Sequence, residues 1–319
     1  MSLNKPVWKL LDWIDLKKLD WCSLSSNPNG IQLFEKKLKK INWYNLCGNF
    51  DAIEIIEKNL NKIDNYLLWS QLSKNPYAIK ILEANQDKID WSELSRNPSA
   101  IKLLENNRDE IDWYMSFNPN AIEFLEKNQD MIYWDYLSAN PNAIKLLEEN
   151  QDKINWFYLS QNPNAIKLLE ENQDKINWHN LSANPNAIEI LKNNRDKIDW
   201  YWLSSNPNAI EILKENQDKI RWSELSKNPN AIELLEKNQD KIDWYNLSAN
   251  PNAIELLEKN RNKIYWFSFS KNPAIFELDY KAMKKNNQEI EEELIKEVMK
   301  PSRVFKNLDY DYIEELFGD

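Results

Sequence analysis

The sequence predicts an all-α protein: a superhelical α-solenoid of about twelve 22-residue, two-helix repeats with helical caps. Three observations predict it. Trp recurs at positions 21, 43, 69, 91, 113, 134, 156, 178, 200, 222, 244 and 266, with steps that are nearly all 22 residues. An Asn follows in each of the twelve units, and Pro follows that Asn in eleven of them. Glycine is scarce: three in 319 residues cannot supply the turns of a large β protein or a phosphate-cradling loop. A period of this length marks a repeat array, and arrays grow by adding units. Residues 20–279 therefore form one array rather than the two domains that length alone suggests.

Stretches such as Asp243–Lys263 give the unit as D/N-W-x-x-L-S-x-N-P-N-A-I-x-L-L-E-x-N-x-D-K-I. Asp or Asn precedes the Trp in eight copies and caps a short first helix; Asp90 with Glu93 makes a capping-box pattern. The Asn-Pro pair starts a second helix, because Pro has no N–H to leave unpaired at the first helical position. Asn184 is thus read as a cap with Pro185 as the first helical residue, so Asn184→Asp is expected to be nearly neutral and Asn184→Ala to cost about 1 kcal/mol. In Pro163–Glu171 the residues Ala165, Ile166, Leu168 and Leu169 share one apolar face. Ten copies end this helix with Asn, which predicts a left-handed residue there. A strand reading of the unit fails, since alternation is absent and Pro in nearly every unit would remove ladder donors.

Helices this short are stable only when stacked. Stacking twelve layers predicts a rod or superhelix on the order of 100 Å long, with Trp and the Leu three residues later forming the buried stripe. Residues 1–19 are expected to cap its start, with Trp8, Leu11, Trp13 and Leu16 inward, and residues 280–319 to cap its end. Local bends are expected at the Asn65–Leu68 insertion, at Trp113–Asn118, which is one residue short, at Cys47–Asp51, and at Pro273-Ala274 in the last copy.

The L-S-x-N-P-N-A-I-x-L-L-E-x-N unit resembles tandem-repeat proteins that form families of paralogues in large DNA viruses of protists. The tail Glu293–Phe317, around Pro301-Ser302-Arg303-Val304, is similar to the segment that closes those proteins. The resemblance implies an α-helical solenoid of viral origin with no assigned biochemical role. A looser architectural likeness is to the leucine-rich repeat variant solenoids, which alternate α and 3₁₀ helices.

Composition narrows the function. Lys+Arg number 41 against 51 Asp+Glu, and a net charge of -10 disfavours sequence-independent nucleic-acid binding. One His and two Cys exclude a zinc ribbon and a disulfide framework, leaving Cys22 and Cys47 as free thiols. No nucleophile–base pair, metal cluster or cofactor motif is present, so a non-enzyme without cofactor is expected. The chain has no apolar run of 18 residues and no signal-peptide pattern, which predicts no membrane partner and an intracellular protein, in the host cytoplasm or the virion if viral. The twelve Asn residues are read as structural caps. Charged residues such as Glu233, Glu236, Lys237 and Lys241 form a solvated face, and the tail, basic at Lys281–Lys285, acidic at Glu289–Glu293 and carrying Arg303 and Lys306 in Pro301–Lys306, is either a cap or a second recruitment candidate.

The variable positions beside the Trp column point to a protein partner. Aromatic side chains gather there from Tyr136 to Trp202, giving Tyr136, Phe157, Tyr158, His179, Tyr201 and Trp202 as candidate partner-binding residues. They suit a hot spot, or they cover the groove between adjacent first helices. The expected function is a protein–protein interaction scaffold; the alternative is a structural or packaging component of a virion.

Overall fold

Capping sets the local structure, as repeat 8 shows. Asn177 Oδ1 accepts from the Asn180 N–H at 2.9 Å and starts the first helix, Trp178–Ala183. Asn184 Oδ1 then accepts from the Asn186 N–H at 3.0 Å, folding Asn184–Ala187 into a tight turn closed by Ala187 N–H to Asn184 O at 3.2 Å. The second helix, Ile188–Asn193, follows, and a 3₁₀ turn at Arg195–Lys197 leads to the next cap, Asp199. Pro185 therefore lies in the turn, three residues before the helix that it was expected to open. The structure, a computed structural model, describes residues 6–35 and 37–298.

The end of the second helix differs from expectation. Asn194 has φ −133° and ψ 51°, and the other nine terminal Asn residues share negative φ values. None is left-handed. Each instead turns its Nδ2 back to the carbonyl four residues earlier, as Asn194 does to Ile190 O at 3.0 Å. A side-chain donor satisfies an orphan carbonyl of the last turn, so no positive φ is required.

Between repeats, the Asn column does more than cap. Asn184 is buried, and its Nδ2 donates to Ser160 O at 3.1 Å and Asn162 O at 3.0 Å in the preceding repeat. The same pair of bonds recurs from Asn49, Asn75, Asn97, Asn118, Asn140, Asn162, Asn206, Asn228, Asn250 and Asn272. A serine column runs beside it. The Ser182 hydroxyl donates to Trp178 O at 2.8 Å and accepts from the Asp199 N–H of the next repeat at 2.9 Å.

The ladder has no free end. Asn27 of repeat 1 donates to Ser270 O at 3.1 Å and Asn272 O at 2.9 Å of repeat 12, and Asp20 N–H donates to Ser270 Oγ at 2.8 Å. The repeats form the expected all-α solenoid, and it is closed: instead of two capped ends there is a ring in which repeat 12 stands where repeat 1 needs a predecessor. Twelve equal steps in one turn set a mean rotation of about 30° per repeat, small enough for solenoid packing.

The core is built from Leu, Ile and Ala rather than Trp. In repeat 8, Leu181, Ala187, Ile190, Leu191 and Ile198 are buried. The Trp column is only half-buried in ten repeats, buried at Trp69 and exposed at Trp113. A lysine of the same repeat covers the ring: Lys197 lies 4.5 Å over Trp178, and Lys153, Lys175, Lys219, Lys241 and Lys263 do likewise. Trp is thus a roof over the Leu stripe, desolvated on one face and cation-covered on the other.

Two of the irregularities are absorbed in the first helices while the ladder passes unbroken. The insertion lengthens one helix to Tyr66–Lys74, capped by Asn65. The one-residue deletion turns Trp113–Phe117 into a 3₁₀ helix, whose greater rise per residue spans the gap with fewer residues.

The described residues divide into two compact units, one within 12–275 and one combining 6–11 with 276–298. In the second, strand β1 (Trp8–Leu10) pairs antiparallel with strand β2 (Phe276–Leu278), and helix Tyr280–Val298 begins at Asp279, whose Oδ1 accepts from Ala282 N–H at 2.9 Å. The helical reading of residues 1–19 is therefore corrected over the described residues 6–19: residues 8–10 pair as a strand, and no helix forms. The Pro301–Lys306 segment lies outside the described residues.

This packing makes the Asn column sensitive to charge. Asn184→Asp keeps the capping oxygen but loses two buried donors and turns a carboxylate toward two carbonyls. It should cost about 3–5 kcal/mol at neutral pH, more than Asn184→Ala. Burial raises the introduced carboxyl's pKa in the folded state, so the deficit relative to the parent should be smallest at low pH and grow as pH rises. Urea unfolding of the three proteins at pH 4 and pH 7 checks both; a neutral Asp substitution would leave capping alone. In the core, Leu181→Ala should cost about 3–4 kcal/mol and Trp178→Ala less, about 2 kcal/mol, in place of the larger loss that a buried Trp would give. Thermal or urea unfolding with the order reversed would return Trp to the core.

Candidate functional site

The first helix buries Leu at the third residue after Trp and the Ser that follows, so the two residues just after Trp flank the buried stripe. The six candidate residues occupy these flanking positions on four consecutive first helices: Trp134–Ala139, Trp156–Leu159, Trp178–Ala183 and Trp200–Ser205. Phe157, His179 and Tyr201, immediately after Trp, are exposed. Tyr136, Tyr158 and Trp202, one residue further, are half-buried.

They form two clusters. Tyr136 packs on Tyr158 with centroids 6.2 Å apart, and Phe157 meets Tyr158 edge-on at 5.3 Å. His179 meets the Trp202 ring edge-on at 5.1 Å, and Tyr201 meets it at 5.4 Å. Asn180 lies between the clusters and donates its Nδ2 to Phe157 O at 2.7 Å. His179 Nδ1 pairs with Asp199 Oδ2 at 2.7 Å, while Asp199 Oδ1 accepts from Tyr201 N–H. That carboxylate therefore both caps a helix and orients the imidazole.

Sequence reasoning missed part of the first cluster. Tyr136 also stacks on Phe117 at 4.3 Å and Tyr114 at 5.2 Å, and Tyr133 lies 4.7 Å away. The Arg96 guanidinium covers Tyr114 at 3.6 Å. Trp113 and Tyr133, 5.8 Å apart, are exposed beside them. Two signals were available. Tyr133 replaces the usual Asp or Asn at a capping position, and the deletion in repeat 5 shifts Trp113 out of the buried register, where sequence analysis expected only a bend.

Burial, then hydrogen bonding to Tyr114, pushes the Tyr136 hydroxyl above its ordinary pKa; Glu224, hydrogen-bonded to Tyr201, does the same there. Both phenols stay protonated donors at neutral pH. The Trp202 indole N–H has no hydrogen-bond partner. Burial pushes the Cys47 thiol up to about 12, which makes it inert, while Cys22 is exposed. Among the described residues no three His, Cys, Asp or Glu side chains gather as a metal site, and no helix is long and apolar enough to cross a membrane. An open cavity of about 420 Å³ at the insertion is lined by Asp64, Asn65, Tyr66, Trp69, Asp87 and Lys88. Lys88 covers Trp69 there, and the Tyr66 hydroxyl donates to Asp90 outside the lining at 2.7 Å.

No family model matches the chain, and no curated protein or solved structure matches it either. Fold and site define a closed α-solenoid with a row of aromatic side chains on consecutive repeats.

Proposed function

We propose that the chain is a non-enzymatic scaffold that binds another protein through the aromatic row from Tyr136 to Trp202. One observation carries this reading. The consensus Asn, Ser and Leu groups are consumed by packing and the inter-repeat ladder, whereas the aromatics sit at positions the architecture leaves variable. Aromatic side chains with protonated polar tips are the groups that dominate protein–protein hot spots. The viral resemblance of the repeat supports a host or viral protein as the partner. A second reading, a structural component of a virion, is supported by ring closure, which leaves the repeats no unsatisfied end; it predicts many copies in purified particles.

Affinity purification from host lysate tests the first reading. One partner should be retained by the parent protein and lost, by tenfold or more in affinity, when Tyr136, Tyr158, Tyr201 and Trp202 are replaced by Ala; roughly 2 kcal/mol per central aromatic would suffice. Tyr77→Ala, at an exposed residue outside the row, should leave binding intact. Equal loss in both variants, or no partner at micromolar protein, would contradict it.

A further inference from the structure

Repeat 12 is assembled from two distant stretches of chain. Its first helix, Trp266–Phe269, and its turn, Pro273–Ile275, are in place, but the chain then leaves as strand β2 where the other repeats build a second helix. Residues 12–20 supply what is missing. Lys18 lies 5.3 Å over Trp266, as Lys197 lies over Trp178. Asp20 N–H meets Ser270 Oγ at 2.8 Å, as Asp199 N–H meets Ser182 Oγ. Ile14 and Leu19 are buried, and Trp13 packs on Phe269 at 5.7 Å with Arg261 over its ring at 5.0 Å. Lys18-Leu19-Asp20-Trp21 also repeats the pattern of Lys197-Ile198-Asp199-Trp200.

We propose that residues 12–20 are a latch: the ring opens and recloses where repeat 12 meets repeat 1, by release of this segment, while the other eleven junctions stay shut. At those eleven the chain itself crosses from one repeat to the next. At the seam every link is non-covalent: the Asn27, Asn29 and Asp20 hydrogen bonds, the Lys18–Trp266 and Arg261–Trp13 contacts, and the Trp13–Phe269 packing. Local opening follows the boundaries of lowest stability, and a junction without chain connection is that boundary. The pair of three-residue strands joins the chain just before residue 12 to the chain just after 275, and it parts in the same step. The latch is independent of what the protein binds.

Amide hydrogen exchange on the full chain tests it. Asp20 N–H should exchange about tenfold or more faster than its counterparts at Asn155, Asn177 and Asp199, which make the same bond to a serine in the middle of the array. Ile14→Asp should speed Asp20 further and enlarge the hydrodynamic radius while the helical circular dichroism persists; the milder Ile14→Ala should shift Asp20 in the same direction. Equal exchange at Asp20 and Asp199 in the parent protein would overturn the latch. So would loss of all helical signal in Ile14→Asp together with unchanged Asp20 exchange in Ile14→Ala.

Discussion

One side chain per repeat, the Asn that precedes Pro in eleven of the twelve, holds this protein together. Its Oδ1 closes the turn that aims the second helix, and its Nδ2 reaches two carbonyls of the preceding repeat. A carboxylate or a hydroxyl could make the first bond, but only a primary amide makes both at once. The group is buried, so each repeat depends on its neighbour for satisfied donors and acceptors. A 22-residue unit has too little apolar surface to stand alone. Shared hydrogen bonds and a shared Leu–Ile core let twelve such units stand as one.

Closure follows from the same dependence. In an open array, Asn27 would be the first rung, with two donors and no carbonyls to meet. Repeat 12 provides Ser270 O and Asn272 O instead, so the unsatisfied end is eliminated rather than covered. The seam reproduces the other junctions group by group, with Lys18, Leu19 and Asp20 taking the places of Lys, Ile and Asp in a regular repeat. Because the inward groups carry the architecture, the residues just after each Trp are left to vary. That is where Tyr136, Phe157, Tyr158, His179, Tyr201 and Trp202 are found.

The parts of this design that depend on near neighbours were legible in the sequence. The period, the Asp and Asn caps of the first helix, and the apolar Leu-Leu face are written within single repeats. Asn194 shows one limit: its type suggested a left-handed φ, whereas its amide bonds a carbonyl four residues back. Asn184 shows another, since the carbonyls that receive its Nδ2 lie 22 and 24 residues away and leave no local trace. Ring closure was hidden for the same reason: Asn27 and Asn272 are 245 residues apart. At the aromatic row, the exposed positions followed from register. Trp113 did not, because its exposure comes from a missing residue rather than from a residue type.

Side-chain amide exchange by NMR tests the closed ladder most directly. In a closed ring the Asn27 Nδ2 protons, bonded to Ser270 O and Asn272 O, should exchange far more slowly than a solvent-exposed amide, by about a hundredfold or more, as should those of Asn184. In an open solenoid Asn27 has no preceding repeat. Its Nδ2 protons would then exchange at the rate of a free asparagine while those of Asn184 stayed protected, and that result would contradict the account.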